Sequence, residues 1–410
     1  MFIPIGNTPR DYAWGSLTGL SEALGTTASG APEAELWLGA HPGSPARILD
    51  PSAVGASTLD EWIREQPHQA LAGADGVLGP LFVDPDSGAP RLPFLLKILA
   101  AGGPLSLQAH PSSETARRRF AEEEASGIAR DASDRNYRDP FHKPELIYAL
   151  SESFDALCGF RDPADARALL VELADRTSGE EAASIHRFAA SLEGDAAEVL
   201  RRAVTHLLAD GDRGEVSVLV DAVVRASRGD DRLETATVRD LAESYPGDPG
   251  IVLSLLLNRV RLAAGEALYL PAGNIHAYLD GTGVELMAAS DNVLRGGLTP
   301  KHIDVPELVD VLEFSPLPVP YLAGEQAAPG LRLYRPDVPD FVLAVVEPVS
   351  GDPVAVALDG PAIAIATRGS FALQGAEGET RVERGGSVYV TPSEHVLEVT
   401  GEGTLFIATV

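Results

Sequence analysis

The run Gly265-Glu266-Ala267-Leu268-Tyr269-Leu270-Pro271, followed by His276 and then Gly281-Thr282-Gly283, has an echo further along the chain. Gly385-Gly386-Ser387-Val388-Tyr389-Val390-Thr391-Pro392 is followed by His395 and then Gly401-Glu402-Gly403. In each copy glycine opens a short apolar run centred on tyrosine, proline closes it, and a second apolar stretch leads to spaced glycines. Short apolar and aromatic runs between glycine and proline breakers read as strands. Repetition of the pattern predicts two β units of one design. The second copy has no Gln-x-His or glutamate partner, so His395 is expected to be structural.

Outward from the first copy, the residues alternate. Ile275, Ala277 and Leu279 share one strand face, and His276 and Tyr278 share the other. Asp280-Gly281-Thr282-Gly283 reads as a hairpin loop that sets Tyr278 opposite Glu285, on the same side as His276. A tyrosine beside a carboxylate is equipment for proton transfer. Upstream, Leu105, Leu107 and Ala109 face one way, and Ser106, Gln108 and His110 the other. In His142-Lys143-Pro144-Glu145 the proline holds the chain extended, so neighbours diverge and either His142 or Glu145 could reach a common point. The residue left over could hold a ligand in place. Oxygen and imidazole donors converging in this way suit a divalent transition metal, zinc first. Ser290 to Lys301 reads as a glycine-bearing loop carrying Arg295 and Lys301. Two cations there suggest capture of phosphate or carboxylate.

That inference gains weight from composition. The 410 residues include 60 acidic and 32 basic ones, a formal net charge of −28. Such a surface argues against nucleic acid or an anionic membrane as partner, because phosphate backbones are held by clustered Lys and Arg. A single cysteine, Cys158, forbids an intrachain disulfide, and it is expected to be a buried apolar residue. The opening residues carry no basic and apolar signal segment, and no apolar stretch approaches the roughly 20 residues needed to span a bilayer. A cytoplasmic monomer is the expectation. Helical spacing appears in Asp165 to Ala174, Ala196 to Leu208 and Val216 to Ser227, punctuated by Gly-Asp and Asp-Gly pairs. The chain therefore reads as mainly β with an α insert. Residues 1–155 together with 251–320 form the metal-binding β domain, 156–250 a helical domain, and 321–410 a second β domain. The β domains are expected to be cupin-like jelly rolls, a bicupin arrangement. His41, His68, His186, His206 and His302 have no partners at ligand spacing and are expected to be structural or superficial.

Several motifs in order resemble one known family. They are Tyr12-Ala13-Trp14-Gly15-Ser16, Ala34 to Pro42, Leu92 to Lys97, Ser106 to Pro111, His142 to Glu145, Ala156 to Phe160 and the dense stretch Pro271 to Val305. Together they resemble the type I mannose-6-phosphate isomerases. The resemblance implies zinc held by Gln108, His110, Glu145 and His276, with Glu145 rather than His142 as the third ligand. It implies a catalytic Arg295, and it sets Lys143, Glu285, Tyr278, Ser106 and Lys301 around a sugar phosphate. Many members carry proline before the last ligand histidine, where this chain has Ile275. The implied reaction interconverts mannose 6-phosphate and fructose 6-phosphate through a cis-enediol(ate). Glu285 is the first candidate for the base and Lys143 the second. Two alternatives are an Fe(II) cupin oxygenase, which would want an apolar pocket in place of Arg295 and Lys301, and a non-catalytic sugar-phosphate-binding regulator.

Overall fold

The computed structural model describes all residues except 74, 75, 86 and 350. Eleven strands precede residue 300: β1 (Phe2–Gly6), β2 (Glu35–Leu38), β3 (Arg47–Ile48), β4 (Phe94–Ala101), β5 (Gln108–Ala109), β6 (Glu145–Ala149), β7 (Ser153–Phe160), β8 (Leu257–Ala263), β9 (Ala267–Leu270), β10 (His276–Ala288) and β11 (Leu294–Arg295). Eight follow: β12 (Glu325–Ala328), β13 (Leu331–Tyr334), β14 (Val342–Val346), β15 (Val354–Ala357), β16 (Ala362–Gln374), β17 (Glu379–Glu383), β18 (Ser387–Val390) and β19 (Val396–Thr409). Pairing throughout is antiparallel.

The sequence echo is a structural repeat. β10 is the long hub of the first unit and pairs with β4, β5, β6 and β7. β19 is the hub of the second and pairs with β14, β15 and β16. β16 does alone what β6 and β7 do in succession. One end of it pairs with β18, as β6 pairs with β9. The other end pairs with β17, as β7 pairs with β8. The β16–β17 turn is short, whereas helices spanning Pro163 to Leu253 separate β7 from β8. Asp162, Asp195 and Asp212 cap three of those helices by accepting first-turn N–H groups.

The structure corrects the reading of residues 280–283. They form no hairpin loop; β10 runs unbroken through them, with Gly281 opposite Ala101 and Gly283 opposite both Leu99 and Ala149. Glycine is needed there for another reason. Gly281 has φ +120°, and a Cβ on it would lie 2.9 Å from the Phe154 Cα. Gly401 and Gly403 occupy the same place in β19, with φ +136° and +117°. These are points where a strand crosses between partners under steric contact, a demand only glycine meets. The loop read over 290–301 is likewise interrupted, because Leu294 and Arg295 form β11 against β5.

The apolar alternation has its expected effect. Leu107, Ala109, Ile275, Ala277 and Leu294 are buried against the helices between β7 and β8, in one core with Leu170, Val220 and Leu256. This packing turns Gln108 and His276 to the opposite face. A second core joins the two β units: Ile5, Leu36, Leu96 and Leu286 pack with Phe341, Ile363, Tyr389 and Phe406. β1 lies in the sheet of the second unit, paired with β18.

Candidate metal centre and its surroundings

Cross-strand register assembles the centre. His276 lies opposite Gln108, and Gln108 lies opposite Arg295 on its other side. Directly opposed residues share a sheet face, so imidazole, amide and guanidinium form one row. From β6, Glu145 projects its carboxylate between the two rings. Its Oε1 is 3.3 Å from His110 Nε2 and its Oε2 is 3.2 Å from His276 Nε2. The two rings lie 5.1 Å apart, and all three residues are 1% exposed. One donor atom from each falls within 4.8 Å of the others.

The remaining ring nitrogens are committed. His110 Nδ1 is 2.8 Å from the Asn292 carbonyl, and His276 Nδ1 is 3.0 Å from the Asn274 carbonyl. A carbonyl can only accept, so each Nδ1 donates a proton to it, which leaves Nε2 as the ring atom that faces the centre. His110 Nε2 is completely buried yet makes no well-directed hydrogen bond. An orphaned basic nitrogen beside a carboxylate and a second imidazole fits a divalent cation. Burial drives the His110 pKa down to about 4, with Glu145 opposing. Burial alone would raise Glu145, but Lys143 and the two imidazoles outweigh it and hold the carboxyl well below its ordinary range. Lys143 Nζ sits 3.0 Å from Glu145 Oε1. His142 turns away and meets Asp340 at 2.8 Å, so in this tetrapeptide Glu145 faces the centre.

A second buried row lies beside the first. Trp37, Lys97 and Glu285 stand opposite one another across β2, β4 and β10. Lys97 Nζ is 2.8 Å from Glu285 and 3.2 Å from Glu35, and Trp37 Nε1 donates to Glu35. Burial is the largest influence on Lys97, but the flanking carboxylates outweigh it and raise its pKa. Burial, assisted by Glu145 and Glu35 and opposed by Lys97, raises the pKa of Glu285. Tyr278 is 1% exposed and its hydroxyl lacks a hydrogen-bond partner among the described residues. Burial, then Glu285 and Glu145, push its pKa up. Tyr278 and Glu285 therefore share an interior without the hairpin. A bulge in the β10–β7 ladder between Tyr278 and Asp280 shifts the register there, which lets two positions seven apart point inward together.

The cations form a third group. Arg295 is half-buried and Lys301 exposed, and neither has an ion-pair partner among the described residues. Burial lowers both pKa values, and Arg138 lowers both further. Three positive groups thus lie close to one another in a chain that is otherwise strongly acidic. Ser106 is half-buried on the segment leading to Gln108. The sequence reading passed over Lys97, Arg138 and Asn292. Lys97 alone had a sequence signal, a lysine inside the apolar run Phe94 to Ala101.

A buried His-Glu-His donor set on a mainly β scaffold, flanked by a paired carboxylate and by Arg295 and Lys301, which have no ion-pair partner among the described residues, defines a metalloenzyme for an anionic small molecule. Comparison with known proteins is consistent with this and more specific. A family described as phosphomannose isomerase type I, catalytic domain, matches residues 2–163. The mannose-6-phosphate isomerase of Salmonella typhimurium is 36% identical over 405 residues, 97% of each chain. The Homo sapiens enzyme of that name is 32% identical over 422 residues, 96% of this chain and 94% of that one. Among solved structures, a zinc-bound holo mannose 6-phosphate isomerase superposes with a TM-score of 0.86 at 34% identity, covering 100% of this chain and 99% of the other. The chain belongs to the type I phosphomannose isomerase family.

Proposed function

We propose that the protein is a zinc-dependent mannose-6-phosphate isomerase, interconverting D-mannose 6-phosphate and D-fructose 6-phosphate through a cis-enediol(ate). The observation that carries the reading within this chain is the orphaned His110 Nε2 facing Glu145 and His276. His110, Glu145 and His276 would hold the cation with Gln108, which lies opposite His276 in register. When bound, zinc supplies a Lewis acid for the oxygen side of the open-chain sugar.

The chain's own groups do the remainder. Glu285, buried and raised in pKa, takes the proton from C2 of the aldose and returns it to C1. Lys143 moves the hydroxyl proton from O2 to O1. Arg295, half-buried in line with Gln108, offers its guanidinium to the enediolate oxygen. Tyr278, an unspent hydroxyl in the same interior, is placed to bind a sugar oxygen. Lys301 and Ser106 hold the phosphate, joined by Arg138. An Fe(II) oxygenase would have no use for these cations.

The domain division follows the same reading: a cupin-like catalytic domain of 1–155 with 251–320, a helical domain of 156–250 and a second cupin-like domain of 321–410, with β1 crossing to the last. The protein would act as a cytoplasmic monomer, without nucleic-acid or membrane partners. No helix among the described residues is long and apolar enough to cross a membrane. The test is a coupled assay forming fructose 6-phosphate, run beside metal analysis. Full turnover in protein stripped of metal, or none in protein holding one zinc per chain, would refute the reading.

A further inference from the structure

Asn292 is 0% exposed, and its hydrogen bonds among the described residues reach neither Glu285 nor Lys143. Its side chain nevertheless makes a full set of hydrogen bonds to one segment. Oδ1 accepts from the N–H of Arg138 at 2.8 Å and of Asp139 at 3.4 Å. Nδ2 donates to the carbonyls of Asp139 and Phe141, both at 2.8 Å, and to Asp139 Oδ1 at 3.3 Å. Only a carboxamide presents both acceptor and donors in this geometry. The clamped segment runs directly into His142-Lys143-Pro144-Glu145. The backbone carbonyl of the same residue receives His110 Nδ1. One residue thus joins the arm that delivers Glu145 to the ring of His110, although the three belong to separate stretches of chain.

We infer that Asn292 is a positioning residue of the metal centre, fixing the tautomer and orientation of His110 and the approach of Glu145. The inference rests on His110 and Glu145 being ligands. Groups that orient ligands typically contribute 10–100-fold to metal affinity. The isosteric aspartate would set an oxygen against two carbonyls and the Asp139 carboxylate. Alanine would leave those backbone groups without partners and free the Asn292 carbonyl to drift from His110.

The test is zinc affinity, measured by competition with a chromophoric chelator on the full chain, with melting temperature of the metal-free protein as second readout. Asn258→Ala is the comparison. Asn258 also bridges carbonyls, those of Cys158, Gly159, Phe160 and Leu317, but contacts no ligand. Both alanine variants should melt lower. Only Asn292→Ala should bind zinc at least tenfold more weakly, with KM for mannose 6-phosphate rising less than zinc dissociation. Asn292→Asp, which keeps the acceptor and the volume, gives the same readout should the alanine variant not fold. Zinc affinity within twofold of the parent in either Asn292 variant, or an equal loss in Asn258→Ala, overturns the inference. His110→Ala tests the underlying assignment separately: if it leaves zinc binding intact, the site itself is misassigned.

Discussion

Arg295 lies opposite Gln108 and has no ion-pair partner among the described residues, so under the proposed function its charge is free for the transition state. Arg295→Ala should lower turnover by about 10²–10³ while zinc stays bound, because removing one such electrostatic partner typically costs that much. Turnover and metal content measured on one preparation check it. Arg138 is exposed near Arg295 and Lys301, the group proposed to hold the phosphate. Arg138→Ala should raise KM for mannose 6-phosphate about tenfold or more with kcat little changed, as expected for losing one charge-assisted bond to a group that does not react. Lys97 has an opposite requirement. It neutralises Glu285 and Glu35 inside the protein, so Lys97→Ala should cost about 3–5 kcal/mol in denaturant unfolding by stranding buried carboxylates. At this scale the alternation of Ser106, Gln108 and His110 was legible in sequence, because strand period follows from backbone geometry alone. The choice between His142 and Glu145 was not legible from residue chemistry and came only with the family resemblance. It depends on Asp340, nearly two hundred residues away, drawing His142 aside. Asn292 left no trace in sequence, since its role is a set of contacts with a distant segment.

The most instructive element is β10. Its glycines look like a turn, yet the strand runs straight on from His276 to Ala288. Local composition cannot separate a glycine that reverses the chain from one that admits a neighbour's backbone. Here the neighbour is Phe154, and it decides. Gly281→Ala should therefore destabilise the fold by on the order of 1–3 kcal/mol through positive φ and overlap, read as a lowered urea midpoint at unchanged slope. The bulge near Tyr278 is equally invisible in sequence, and it makes the hub strand serve the metal with one half and Glu285 with the other. Cys158 lies opposite His276 in the adjacent strand, fully buried, with its thiol pushed up to about 12 by burial. It should resist alkylation at pH 8 in the native protein and react at once when unfolded, a difference mass spectrometry can measure.

For the molecule as a whole, the metal-free centre contributes to acid stability. The His110 pKa falls from 6.5 unfolded to about 4 folded, so the unfolded chain takes up more protons between those values. That contribution is complete above about pH 6.5 and is lost as pH falls towards 4, with a slope of at most about 1.4 kcal/mol per pH unit from this ring. Urea midpoints of metal-free protein across pH 4–7 should show it, and with zinc bound the decline should continue below pH 4, because the metal keeps the proton off the folded ring while the unfolded chain still takes it up. The repeat in the sequence survives at this scale as a shared strand order. The fusion of the two β units into one core was not legible, because apolar residues do not declare which sheet they will face.

That fusion, with β1 borrowed by the distal sheet, governs how such chains can be recombined. A chimaera that took its last ninety residues from a relative would inherit a β18 evolved against someone else's opening strand and a Phe406 shaped for another's Tyr148. Swaps should succeed only when the first six residues travel with the tail, so the two ends of the polypeptide are expected to diverge as a single unit.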